Sequence, residues 1–174
     1  MSETPLRRHD QVAAVGLALG AVCGMAGTMV AQAPLRQVLW AIDGVGIVVA
    51  TALMALKYFR KGNDWLAAGF LVFTVGEALL LSGTAAGLAG SVPSFAGGVA
   101  LWATALFMTS IPPGFATWIR LVGIAAAMLF AVTAVRIFLG EQLLPTTAPL
   151  PSLGYPVLVA TFGGWIWTLL KGDR

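Results

Sequence analysis

Apolar residues along this chain gather into six runs, each close to the length a helix needs to cross a bilayer, with short polar breaks between them. The runs cover Val12 to Ala31, Val38 to Leu56, Trp65 to Leu88, Ser94 to Ile111, Trp118 to Leu139 and Gly154 to Leu170. A hydrocarbon layer about 30 Å thick, at about 1.5 Å of rise per residue, takes roughly 20 helical residues. The pattern predicts an all-α integral membrane protein, a bundle of six transmembrane helices with short loops forming one domain over residues 1–174. Ala33-Pro34, Lys61-Gly62-Asn63, Ser91-Val92-Pro93 and Pro112-Pro113-Gly114 supply turn chemistry at the breaks. Only the segment from Gly140 to Leu153 is long enough for a lid or docking surface, and its mostly neutral residues read as connector.

Composition agrees: 59% apolar residues, 10% charged residues and a mean hydropathy of +0.90 lie far from the roughly 45–50% apolar and 25% charged of soluble domains. A pI near 9.5 raises the question of nucleic acid, but the basic residues sit at the ends of the runs rather than in one patch. Sorting them by side gives the orientation. With six crossings, Arg7, Arg8, Lys57, Arg60, Lys61, Arg120, Lys171 and Arg174 fall on one side, and only Arg36 and Arg136 on the other. Short loops rich in Lys and Arg stay in the cytoplasm during insertion, so both termini are expected there. Trp40 and Tyr155 then fall at outer helix ends, and Tyr58, Trp65, Trp118 and Trp167 at inner ends, as interfacial anchors. Arg favoured over Lys, with abundant Ala and Gly, points to a bacterial cytoplasmic (inner) membrane. Arg7-Arg8, the first run and Ala31-Gln32-Ala33 imitate a secretory signal, but the run exceeds the roughly 7–15 residues of a signal's apolar region and is expected to be retained as a helix.

Gly16, Gly20 and Gly24, continued by Thr28, repeat every fourth residue on one face of the first helix. Helices in lipid associate where small residues let backbones approach, so this face is expected to pack on another helix, within the chain or across a homo-oligomer. Val49-Ala50-Thr51 with Lys61-Gly62 aligns to Val159-Ala160-Thr161 with Lys171-Gly172, which is compatible with a duplicated hairpin and equally with shared helix composition.

Among residues able to carry chemistry, Glu77 lies near the middle of the third run, about 18 Å from Trp65 at about 1.5 Å per residue. A carboxyl there costs a few kcal/mol and usually faces a bundle interior or a wet cavity, as a proton or cation site or as structural glue between helices. Thr74 and Thr84 lie roughly on its face. Asp43 and Arg136, at similar depths near the outer ends of the second and fifth runs, are candidates for an ion pair at an outer mouth, although Arg136 also has the reach to snorkel. Asp43 and Glu77, measured from the run ends, differ in depth by a third or more of the bilayer, which argues against a shared-proton pair. Gly44 and Gly46 are expected to loosen the second helix.

Absent residue types exclude much enzymology. His9, the single histidine, precedes the first run, and Cys23 is the single cysteine, so paired-histidine haem ligation, a His/Cys zinc site, a cysteine-bound cluster and Ser/His catalysis within the bilayer are ruled out. Lys57, Lys61 and Lys171 all lie at inner ends, too shallow for a Schiff base, and no phosphate-binding loop is present. No catalytic residue, metal or cofactor is expected. Two functions stay open: a channel or carrier for protons, cations or a small solute built on Glu77, Asp43, Arg136, Thr74 and Thr84, or a non-catalytic accessory or scaffold subunit of a larger membrane complex. The lipid bilayer is the expected partner, and nucleic acid is not.

Overall fold

The computed structural model describes residues 5–171, with side chains from Arg8 onward. The side chain of Arg7, and Arg174, counted above for orientation, lie outside the described residues. Every regular element is helical: α1 (Pro5–Met29), α2 (Ala33–Arg60), α3 (Asp64–Gly83), a 3-10 turn (Thr84–Ala86), the one-turn α4 (Gly87–Gly90), α5 (Val92–Ser110), α6 (Thr117–Phe138) and α7 (Gly154–Lys171).

Helix boundaries follow local chemistry more than the apolar runs do. α1 begins seven residues before Val12, which places His9 inside it rather than ahead of it. α2 begins at Ala33 with Pro34 in its first turn, where the missing N–H of proline has no partner to lose. It continues unbroken through Gly44 and Gly46 to Arg60, so these glycines do not loosen it. Gly62, at φ +69°, turns the chain, and the side chain of Asn63 then caps α3 by accepting from the N–H of Leu66 at 3.1 Å. The third run was expected to stay helical to Leu88. α3 instead gives way after Gly83 to the 3-10 turn, which Gly87 ends at φ +72°, a backbone conformation only glycine adopts freely.

Among the described residues, five helical segments are long and apolar enough to cross a membrane: Arg8–Met29, Ala33–Arg60, Asp64–Gly90, Val92–Ser110 and Thr117–Phe138. α7, the sixth, has 18 residues in which Gly, Thr, Tyr and Trp dilute the aliphatic content.

The six long helices run up and down, and each packs beside the next in sequence, with α7 closing on α1 to complete a ring. Along the α1–α2 pair the antiparallel register is continuous. Asp10 bonds Lys57 at 2.8 Å at one end, a Cβ built on Gly16 would lie 2.5 Å from the carbonyl oxygen of Gly46, and Gly27 abuts the Trp40 indole at the other. The face carrying Gly16, Gly20 and Gly24 therefore meets α2 of the same chain. Arg8, Lys57, Arg60, Lys61, Arg120 and Lys171 all fall at the ring end that holds the N-terminus of α1 and the C-terminus of α7. Arg36 and Arg136 fall at the opposite end.

Inside the ring, chiefly in the half toward this basic end, the space is filled by rings from six segments. Phe70 packs edge-on to Trp165 at 5.0 Å and stacks on Tyr58 at 5.5 Å, while Phe115 closes against both Phe70 and Trp165. Phe73 stacks on Trp102 at 5.4 Å, and Phe130 meets Trp102 edge-on at 5.2 Å. The surface is the inverse of a soluble one: Val15, Val22, Val45, Val75, Leu121 and Met128 stand exposed, while Thr51, Glu77, Thr109, Thr133 and Thr161 are buried. The threonine hydroxyls donate to carbonyls one turn back, as in Thr51 to Ile47 and Thr161 to Val157, so they enter the core already satisfied.

Candidate functional site

Above the aromatic plug, toward the end that carries Arg36, the ring is not filled. A cavity of about 130 Å³ opens among α1, α2, α3, α5 and α7, roofed in part by Pro145 of the Gly140–Leu153 loop. At the roughly 10–15 Å³ that one water requires, it has room for on the order of ten waters. Trp102 and Phe162 separate its base from the plug.

Two carboxyls share this cavity. Glu77 reaches it from α3 with 3% of its surface exposed, and Asp43 reaches it from α2. Their depths are closer than the apolar runs suggest, because α2 starts at Ala33. Asp43 sits ten residues, about 15 Å, inside that helix rather than a turn or so below its end. Glu77 lies six residues, about 9 Å, before the end of α3, and the short turns after Gly83 extend the bundle beyond it. Small residues seat both groups. A Cβ on Gly44 would lie 3.2 Å from Oε1 of Glu77, and one on Gly24 would lie 3.0 Å from Oδ2 of Asp43. Gly44 and Gly24 therefore make the pockets that the two side chains occupy, and the separation in depth expected between the carboxyls does not exist.

Neither carboxyl is satisfied by the protein. Oδ1 of Asp43 and Oε2 of Glu77 are buried without a hydrogen-bond partner, and so is Nε1 of Trp102, whose indole edge faces Glu77 without closing a hydrogen bond. Buried polar atoms are rarely left in this condition, and each such atom marks a place where water, an ion or a ligand belongs. Trp40 and Tyr155 add their rings to the walls. Both were expected to be interfacial anchors, and both instead turn inward. Arg36, Trp40 and Asp43 follow one another at i, i+4 and i+7, so one face of α2 carries a guanidinium at the mouth, an indole below it and a carboxyl deepest. Arg36 lies over the Trp40 ring at 5.8 Å and donates to the carbonyl of Val30 at 3.2 Å.

The other sequence candidates sort differently. Arg136 does not pair with Asp43. Gly140, at φ +99°, turns the chain back after α6 and brings Glu141 beside Arg136, where Nε and Oε1 lie 2.9 Å apart and Nη2 and Oε2 lie 2.6 Å apart. That pair is exposed on the outside of the ring end. Thr74 lies outside the cavity. Its hydroxyl lies 2.8 Å from that of Thr51 and ties α3 to α2. Thr84 and Thr28 line the cavity near its mouth, each donating to a carbonyl three residues back. Arg120, expected as an interfacial anchor, caps α5 by donating to the carbonyls of Ser110, at 2.8 Å, and Ile111.

Among the polar and aromatic lining residues, Trp102 was not named from the sequence, and Arg36 entered there only through the count of basic residues that set the orientation. The spacing of Arg36 from Trp40 and Asp43 carried a usable signal; nothing around Trp102 separates it from a core aromatic. Among the described residues, no cluster of three or more His, Cys, Asp or Glu side chains is placed to hold a metal. Compared with known proteins, the chain matches no family model, no curated protein and no solved structure.

Proposed function

We propose that this chain is an integral membrane protein that crosses the bilayer six times with both termini in the cytoplasm of a bacterial inner membrane, and that it carries a proton, a cation or a small solute through the Asp43–Glu77 cavity. The observation that carries the reading is Glu77, a buried carboxyl with an unpartnered oxygen on the wall of a largely apolar cavity that it shares with Asp43. An acidic group at that depth is costly to insert, and sites of this kind serve ion and substrate pathways.

Three features support the rest. An aliphatic exterior around a core that holds the polar groups suits lipid on every side. α7, about 27 Å long at about 1.5 Å per residue, reaches across with the help of Trp167 and Lys171 at the basic end, where Lys171 Nζ lies 4.6 Å from the Trp167 ring. The segregation of Arg8, Lys57, Arg60, Lys61, Arg120 and Lys171 from Arg36 and Arg136 supports an orientation with the basic end in the cytoplasm and the cavity facing outward. The aromatic plug favours a carrier that must rearrange over an open channel. The proposed unit is the protomer, non-catalytic and surrounded by lipid. The accessory-subunit reading requires a dry core with Glu77 satisfied by a neighbour; its free oxygen favours transport instead.

The test is flux into proteoliposomes holding a pH-sensitive dye, under imposed gradients of sodium, potassium and a panel of small neutral and cationic solutes. The parent is expected to move at least one of these well above protein-free vesicles, and Glu77→Gln to lose that flux. Equal background flux of every species in both proteins would contradict the proposal.

A further inference from the structure

The cavity's chemistry narrows the class of molecule it accepts. We infer that it binds a compact organic cation, a primary ammonium or amidinium group on a small apolar body, with the charged head between Asp43 and Glu77 and the body against the Trp40, Tyr155 and Phe162 rings. This assignment rests on the transport reading for its purpose, but the binding it describes is measured without transport.

The argument is one of matching unfilled groups. Glu77 and Asp43 present oxygens that no protein donor reaches, and the one guanidinium on the lining is engaged elsewhere, over Trp40 and on the carbonyl of Val30. A carboxyl pair with no cation of its own in a low-dielectric site favours a guest that brings positive charge and N–H donors. Aromatic faces then attract that charge further and pack against an attached hydrocarbon. A hard metal ion fits poorly. Calcium takes about six to eight oxygen ligands, and magnesium a full octahedral shell, whereas this lining offers two carboxyls, a few hydroxyls and the Gln37 amide, with the Arg36 guanidinium, among rings and aliphatic groups. An anion would face the carboxyls with Arg36 alone to compensate, and Arg36 sits at the mouth. A neutral hydrocarbon would leave the oxygens of Asp43 and Glu77 and the indole N–H of Trp102 as they are, buried and unpaired. The volume of about 130 Å³ limits the body to something near a single ring.

Trp40 and Trp102 stand on the wall, so binding is readable by intrinsic tryptophan fluorescence on the full chain in detergent, with benzylammonium, benzyl alcohol and benzoate as probes of one shape and three charge states. Benzylammonium is expected to quench saturably and to bind at least tenfold more tightly than the other two. Asp43→Asn and Glu77→Gln should each weaken it at least tenfold, whereas Thr104→Val, on the exterior of α5, should not. Thermal midpoint and elution profile establish that each variant is folded, and two independent carboxyl variants guard against one of them failing to fold. Equal affinity for the alcohol, non-saturable quenching by all three probes, or unchanged benzylammonium affinity in both folded carboxyl variants would overturn the assignment. Saturable binding of benzylammonium without flux would instead remove the carrier reading and leave the site standing. Flux of a neutral solute without benzylammonium binding would do the reverse.

Discussion

Glu77 is the side chain on which structural and functional roles part most cleanly. A carboxyl acting as glue between helices supports the fold, so its amide replacement would weaken the protein. A carboxyl held unpartnered on a cavity wall for a guest is a burden to the fold, and relieving it trades activity for stability. Glu77→Gln should therefore leave the thermal midpoint in detergent unchanged or raised while flux falls at least tenfold, and a lowered midpoint would identify the residue as glue. At Gly16 the expectation runs the other way. An added methyl would lie 2.5 Å from the carbonyl oxygen of Gly46, a backbone atom with nowhere to go, whereas Gly163 has open space around its Cα. Gly16→Ala should cost about 1–3 kcal/mol of stability, as overpacking usually does, and Gly163→Ala should be close to neutral. The glycine stripe was legible because spacing of four within one helix is local information. The meeting of Asp43 with Glu77 was not, since apolar runs understate the length of α2: its first turns carry Pro34, Arg36 and Gln37 and look like loop, which makes Asp43 appear shallow. Arg136 was matched only with Asp43 as a candidate partner, because Glu141 approaches it only after the turn at Gly140.

Between elements, the contacts that join one helix to the next are few and specific. Arg120, in the first turns of α6, donates to the carbonyls of Ser110 and Ile111, which end α5 with acceptors that have no helical partner of their own. Hydrogen bonds from a charged donor contribute about 1.5–3 kcal/mol, so Arg120→Ala should lower stability by roughly that amount, with flux per folded molecule preserved, as unfolding titrations and reconstituted assays would measure. A second tie, the hydroxyl pair of Thr51 and Thr74 between α2 and α3, is neutral and shorter in reach. Thr74→Val should cost nearer 0.6 kcal/mol, about the average for hydrogen bonds between membrane helices, again without loss of flux. The number and order of helices could be read from hydrophobic runs and turn residues, because each reports on its own neighbourhood. The closure of α7 on α1 depends on how six crossing angles accumulate, and no local pattern encodes it.

At the scale of the whole molecule, a ring of helices is divided by its contents into a plugged half at the basic end and a hollow half at the other. Phe70, Phe73, Trp165 and their neighbours fill the first with packed rings, and the two carboxyls lie in the second. If the basic end lies in the cytoplasm, the hollow half opens outward, and every functional expectation above depends on that geometry. Cysteine accessibility in intact bacterial cells tests it most directly. With Cys23 replaced by Ala, single cysteines are placed by Thr84→Cys at the cavity mouth and by Asn63→Cys in the turn between α2 and α3. A membrane-impermeant thiol reagent should label the Thr84→Cys protein in intact cells, and the Asn63→Cys protein only after permeabilisation. Labelling of Asn63→Cys from outside, or of Thr84→Cys only after permeabilisation, would contradict the account.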